Sequence, residues 1–117
     1  MKNIAIVFNH PPHGTSQGRE GLDLSLSLSD INQVSVFFIN AGVLHLLANQ
    51  QPDKILMRDY IATFGMLELY DISNIYVCES SLAKYHLSPH QLILDAEIIS
   101  KTALAQQLAA QNTILQF

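Results

Sequence analysis

With 117 residues, the chain has room for one hydrophobic core and needs no second domain, since single domains commonly run to roughly 100 to 150 residues. Apolar residues make up 49% of the chain and charged ones only 14%, against roughly 25% in ordinary soluble domains, which is too few charges for an isolated surface and reads as a subunit. Six Lys and Arg against ten Asp and Glu leave a net charge of −4, and scattered basic residues of this kind argue against autonomous nucleic-acid binding by phosphate neutralisation.

The opening Met1 to Phe8 stretch is too short for a signal sequence or a membrane span. Within it, Ile4 to Phe8 is a continuous apolar run ended by Asn9, His10 and two prolines, the pattern of a strand covered on both faces at the sheet centre. Pro11, Pro12, Gly14 and Gly18 make a turn-rich loop, with Thr15 or Ser16 available to cap a following helix. Leu22, Leu24, Leu26 and Leu28 alternate with polar residues, which by pattern alone signals a strand. A parallel sheet, however, needs a crossover before the next apolar run, and Gly18 to Ser29 is the only segment long enough to supply a helix. On that helix Leu22 and Leu26 fall on one side and Leu24, Leu28 and Ile31 nearly opposite, predicting two apolar faces and a helix sandwiched between its sheet and something else.

Val34 to Ile39 reads as the second strand, broken by Asn40-Ala41-Gly42 before a short helix-like piece from Val43 to Ala48. A polar loop from Asn49 to Asp53 precedes a predicted helix from Met57 to Tyr70, whose apolar residues surround most of its circumference. Asp71 to Asn74 turns the chain into a strand at Ile75 to Val77, and Ser80 to His86 reads as the next helix. Leu92 to Leu94 is expected as a fourth strand. Ser100 caps a helix from Lys101 to Ala110, and Thr113 to Phe117 closes as a final strand. The alternation predicts an α/β fold, a single domain over 1–117 with a mainly parallel sheet of about five strands.

Chemistry-bearing residues are few. The single cysteine allows no internal disulfide and no cysteine-based metal cage, which fits a reducing compartment. Cys78 stands where the third apolar run meets a helix start, and two readings apply. Orphan amides and the positive end of a helix lower a thiol's pKa, although Glu79 beside it is expected to oppose that. The commoner alternative is a small buried hydrophobe, because free cysteine is among the most buried residue types. His10 and His13 bracket two prolines but lack a third ligand for a catalytic zinc, so they read as a polar loop lining a cleft rather than a metal site. Gly14 to Gly21 lies where a phosphate loop would, yet it matches neither the Gly-Lys-Ser/Thr pattern nor the dinucleotide fingerprint, and no cofactor is expected.

Beyond these single features, the words His10-Pro-Pro-His-Gly-Thr-Ser-Gln-Gly-Arg-Glu-Gly-Leu-Asp23, Val36-Phe-Phe-Ile39 with Gly42-Val43, Arg58-Asp-Tyr-Ile-Ala-Thr-Phe64, Leu69-Tyr-Asp-Ile72 and Val77-Cys78 closely resemble the DsrE/DsrF-like family, in particular the DsrF-like subunits of bacterial sulfur-relay complexes. The resemblance spans nearly the whole chain, from Lys2 to Phe117. It implies a three-layer α/β/α sandwich around a five-stranded mainly parallel sheet. It also implies a cytoplasmic hexamer with two copies each of this chain and of TusB and TusD homologues. Such a complex passes persulfide sulfur from a cysteine desulfurase, by way of TusA, towards TusE and the thiouridylase that makes 2-thiouridine at the tRNA wobble position. In the family the carrier cysteine is assigned to the TusD subunit and the DsrF-like subunit is mainly its structural, non-catalytic partner. Cys78 occupies the position of the paralogous carrier cysteine, with the His10, His13 and Gly14 loop as part of its pocket if it carries sulfur itself. No second thiol or basic residue stands near it in sequence.

Overall fold

The computed structural model describes residues 2–10, 17–46, 72, 74–87 and 96–117. Its first strand, β1 (Asn3–Phe8), is buried from Ile4 to Phe8, as an unbroken apolar run requires when both sheet faces are covered. Helix α1 (Gln17–Leu28) leads into β2 (Gln33–Phe38), which is buried from Val34 to Phe38. A 3-10 helix (Asn40–Leu46) follows β2. The remaining described elements are β3 (Asn74–Cys78), α2 (Glu79–Lys84), β4 (Glu97–Ile99), α3 (Lys101–Ala109) and β5 (Thr113–Gln116).

All four strand pairings are parallel, in the order β4-β3-β2-β1-β5. The central strand is therefore β2, not β1 as the apolar run alone predicted. Strands β2, β3 and β4 add successively on one side of β1, and β5 returns to its other side, which moves β1 one place off centre. The fourth strand is Glu97–Ile99, whereas the run at Leu92 to Leu94 and the predicted helix at Met57 to Tyr70 lie outside the described residues. Three residues carry no periodic signal; β4 exists because Ile98 and Ile99 pair with Val77 and Cys78 and so join an already formed core.

Alternation along the strands divides the side chains between two faces. Ile4, Ile6, Phe8, Val34, Val36, Phe38, Ile75 and Val77 form one core with Leu22 of α1 and Leu82 of α2. Ala5, Val7 and Phe37 form the other, against Leu104 and Leu108 of α3. Helices thus cover both faces, and the architecture is the three-layer α/β/α sandwich.

Within α1 the leucine pattern is resolved differently from the two-faced prediction. Leu24, Leu26 and Leu28 are half-buried and pack against the same core as Leu22, while Ile31 is exposed. The middle of the sheet-facing side is made by small residues: Gly21 is buried, and Ser25 is buried with its hydroxyl donating to the Gly21 carbonyl at 2.8 Å. A Cβ on Gly21 would stand 2.7 Å from the Phe8 ring and 2.8 Å from that of Phe117, so the absent side chain lets the helix sit close enough for flanking leucines to reach the sheet. One broad apolar face results.

The helical turn after β2 begins at Asn40, three residues before the predicted start at Val43. Gly42 permits this early turn, because any Cβ there would collide with the Phe8 backbone carbonyl. Around this turn Phe8 stacks on Phe38 with ring centroids 5.0 Å apart.

Candidate functional site

Cys78 is the last residue of β3 and precedes α2, with extended backbone (φ −74°, ψ 121°) at the helix entrance. β3 continues into α2 on the first face of the sheet, while its neighbour β4 continues into α3 on the second. Strand ends whose connections part in this way form the topological switch point at which open α/β sheets bind ligands. Cys78 stands at that point, in register with Ile99.

The thiol is free and buried, the residue being 3% exposed. Its Sγ lies 3.3 Å from the Ser80 hydroxyl. Burial, the largest influence on its ionisation, pushes the pKa up, because a charge in an apolar setting loses hydration. Hydrogen bonds from the Ser80 and Ser81 hydroxyls and from the Ser81 and Ser80 backbone N–H groups pull it down, and together they prevail, leaving it below the ordinary value of 9.0. The neutral side chain makes no cap hydrogen bond to the helix, so these amides act on the charged form. Glu79, expected to oppose the thiolate, is exposed and is not among these influences; facing solvent, its charge is screened.

A polar network ties this junction to the ends of the neighbouring strands. Asn40, at φ 50°, donates its backbone N–H to the Ser81 hydroxyl at 2.8 Å, and its side-chain Nδ2 donates to Asn9 Oδ1 at 2.6 Å. His45 lies 1% exposed beside the Phe8 and Phe38 rings, with centroid distances of 5.5 and 6.4 Å. Its Nε2 is 2.8 Å from the His10 carbonyl; a carbonyl can only accept, so this nitrogen carries the proton and anchors the chain leaving β1.

The sequence-predicted site residues are thus only partly brought together. His10 is exposed at the end of β1, two strands from β3, a separation of roughly 10 Å at the usual inter-strand spacing. His13 and Gly14 lie outside the described residues. Ser80, Ser81, Asn40 and His45 were not singled out as site residues by sequence reasoning. The serines had a local signal, since they sit two and three residues after a cysteine at a strand-to-helix junction, where first-turn groups face the preceding side chain. Asn40 and His45 had none. Among the described residues no group of three His, Cys, Asp or Glu side chains is placed to hold a metal ion.

A parallel five-stranded α/β/α sandwich with a hydroxyl-bonded thiol at its switch point defines the class. The DsrE/DsrF-like family matches residues 2–117, and the chain belongs to that family. Its fold is similar to that of the ychN protein from E. coli, at 22% sequence identity with both chains covered completely and a TM-score of 0.81. It is also similar to MTH1491 from Methanobacterium thermoautotrophicum, a protein of unknown function, at 11% identity with both chains covered completely and a TM-score of 0.75. At these identities the likeness establishes the fold, while family membership implies a sulfur-relay-related role.

Proposed function

We propose that the chain is a TusC-type partner subunit of a sulfur-relay complex, assembling with TusB and TusD homologues in a cytoplasmic hexamer that passes persulfide sulfur from TusA towards TusE for 2-thiolation of the tRNA wobble uridine. The observation that carries this reading is the burial of Cys78, a residue 3% exposed in the isolated chain, since a thiolate nucleophile needs access to its donor. Family membership and the low charge content of the sequence support it. Among the described residues no helix is long and apolar enough to cross a membrane. The leucines of α1 all pack against its own sheet, so this helix offers no second leucine face to a sister chain.

A second reading, direct sulfur carriage by Cys78, is favoured by its lowered pKa, since the thiolate is the attacking form. In that step the Cys78 thiolate attacks the outer sulfur of a donor persulfide. A new S–S bond forms, the donor's S–S bond breaks, and the donor leaves as a thiolate with the electron pair, while the proton stays on the transferred sulfur. Reconstitution of the complex with labelled persulfide on TusA separates the two. The partner-subunit reading expects transfer to be lost when this chain is omitted and to continue at the normal rate with Cys78→Ser. An intact hexamer that loses transfer with Cys78→Ser overturns it in favour of carriage.

A further inference from the structure

Strand β5 ends the strand order on one side, and among the described strands it pairs only with β1, in parallel. The Phe117 N–H donates to the Val7 carbonyl at 2.8 Å and the Phe117 carbonyl accepts the Asn9 N–H at 2.7 Å, so both backbone groups of Phe117 point at β1. Backbone groups alternate in direction along a strand, which turns those of Thr113 and Leu115 towards β1 as well and those of Ile114 and Gln116 outward. Thr113, Ile114 and Gln116 are exposed, Ile114 at 47% although it is a large apolar residue. The strand Thr-Ile-Leu-Gln carries no charge and no proline, two devices by which sheet edges refuse a further strand. The opposite edge differs, since β4 has three residues and begins at the exposed Glu97.

We propose that β5 is the docking edge for a second copy of this chain, pairing antiparallel with the same strand of that copy about a two-fold axis at Leu115. The register is self-complementary. Ile114 lies opposite Gln116 of the partner copy and Gln116 opposite its Ile114, so outward N–H and C=O groups meet each other as a hydrogen-bonded antiparallel pair requires. Register with β1 puts Ile114 beside Ala5 on the α3 side of the sheet and Leu115 beside Ile6 on the α1 side. Pairing covers Ile114 and brings the two Leu115 side chains together at the axis, joining the cores against which each already packs. No like charges meet, because the strand is neutral. Pairing of β5 with β4 of another copy is head to tail instead; it sets Glu97 at the junction and leads to open fibres rather than a closed pair. A junction of four residues a side buries less than the roughly 1,200 Å² of ordinary stable interfaces, so the dimer is weak and concentration-dependent. This inference goes beyond the partner-subunit reading and does not rest on it.

Sedimentation of the full chain over a concentration series is expected to show monomer passing to dimer. Ile114→Lys changes an exposed side chain, so the fold is kept, and it is expected to weaken dimerisation about tenfold, the lost pair occurring twice across the axis. Gln116→Pro removes an outward N–H and no bond to β1, and is expected to act in the same direction. Register is read by oxidative cross-linking in a Cys78→Ser background, where the introduced thiol is the single one. Leu115→Cys faces its own copy at the axis, with roughly 4.5 Å between Cα atoms, and is expected to give a disulfide-linked dimer. Ile114→Cys, opposite Gln116 rather than itself, is expected not to. A wild-type chain that stays monomeric up to roughly millimolar concentration overturns the proposal. So does a dimer that folded Ile114→Lys leaves equally tight, and so does cross-linking through position 114 without any through 115. Sulfur transfer is not measured, so a failure here leaves the partner-subunit reading standing.

Discussion

Ionisation of Cys78 is coupled to folding because its pKa is lowered in the folded chain. Between that lowered value and the ordinary 9.0, the unfolded chain holds a proton the folded chain has released, so stability rises with pH across this window. The contribution is complete above the ordinary value and is lost as pH falls through the folded one. Urea midpoints measured across the window should therefore climb more steeply for the wild type than for Cys78→Ser, since every other titrating group is common to both. Parallel curves would show that the serine hydroxyls and amides do not stabilise the thiolate. At this scale the sequence was half legible. The cysteine and the two serines after it are adjacent, whereas Asn40 and His45 act across separations of 41 and 35 residues and leave no local pattern.

Helix α2 illustrates how an element is delimited by its ends. After Lys84 the His86 N–H donates to the Ala83 carbonyl at 3.1 Å and the Leu87 N–H to the Leu82 carbonyl at 2.9 Å, the paired bonds of a Schellman terminus. His86 takes φ 56°, the conformation that this terminus requires and that glycine adopts without steric cost. His86→Gly is therefore expected to stabilise the protein by about 0.5–1 kcal/mol, the left-handed strain outweighing the added freedom of the unfolded chain, as read from thermal melts. A loss of stability would mean that the imidazole itself makes a favourable interaction. The Ser100 cap of α3 was readable in advance, because Ser100 lies just before a helix-forming run and its hydroxyl indeed accepts the Ala103 N–H at 3.2 Å. Helix α1 was readable only through topology: its leucines alternate like a strand, and the need for a crossover decided otherwise. Which leucines face the sheet was not readable, since that depends on Gly21 meeting the Phe8 and Phe117 rings.

Across the whole molecule Phe8 is the residue on which most layers converge. It is fully buried, stacks on Phe38, lies beside His45 and Phe117, and its carbonyl is closely approached by the backbone of Gly42. Phe8→Ala is expected to cost about 3–5 kcal/mol through lost burial and the cavity left behind, measured as a fall in the urea midpoint with little change in slope. That is a large part of the roughly 5–15 kcal/mol by which a domain is usually stable. A loss below about 1 kcal/mol would indicate that α1 and the 3-10 helix collapse into the space.

The sequence by itself determined the kind and order of most described elements, the parallel α/β class and the family, because these follow from local periodicity, capping residues, crossover length and extended runs of matching words. It also located Cys78 at the carboxyl end of a strand. Tertiary structure alone decided that β2 is central, that a three-residue segment forms β4, that α1 has one apolar face, and that the thiol is buried yet has its pKa lowered. Each of these depends on groups distant in the chain being brought within contact or hydrogen-bond range, and such encounters leave no periodic trace in the residues that make them.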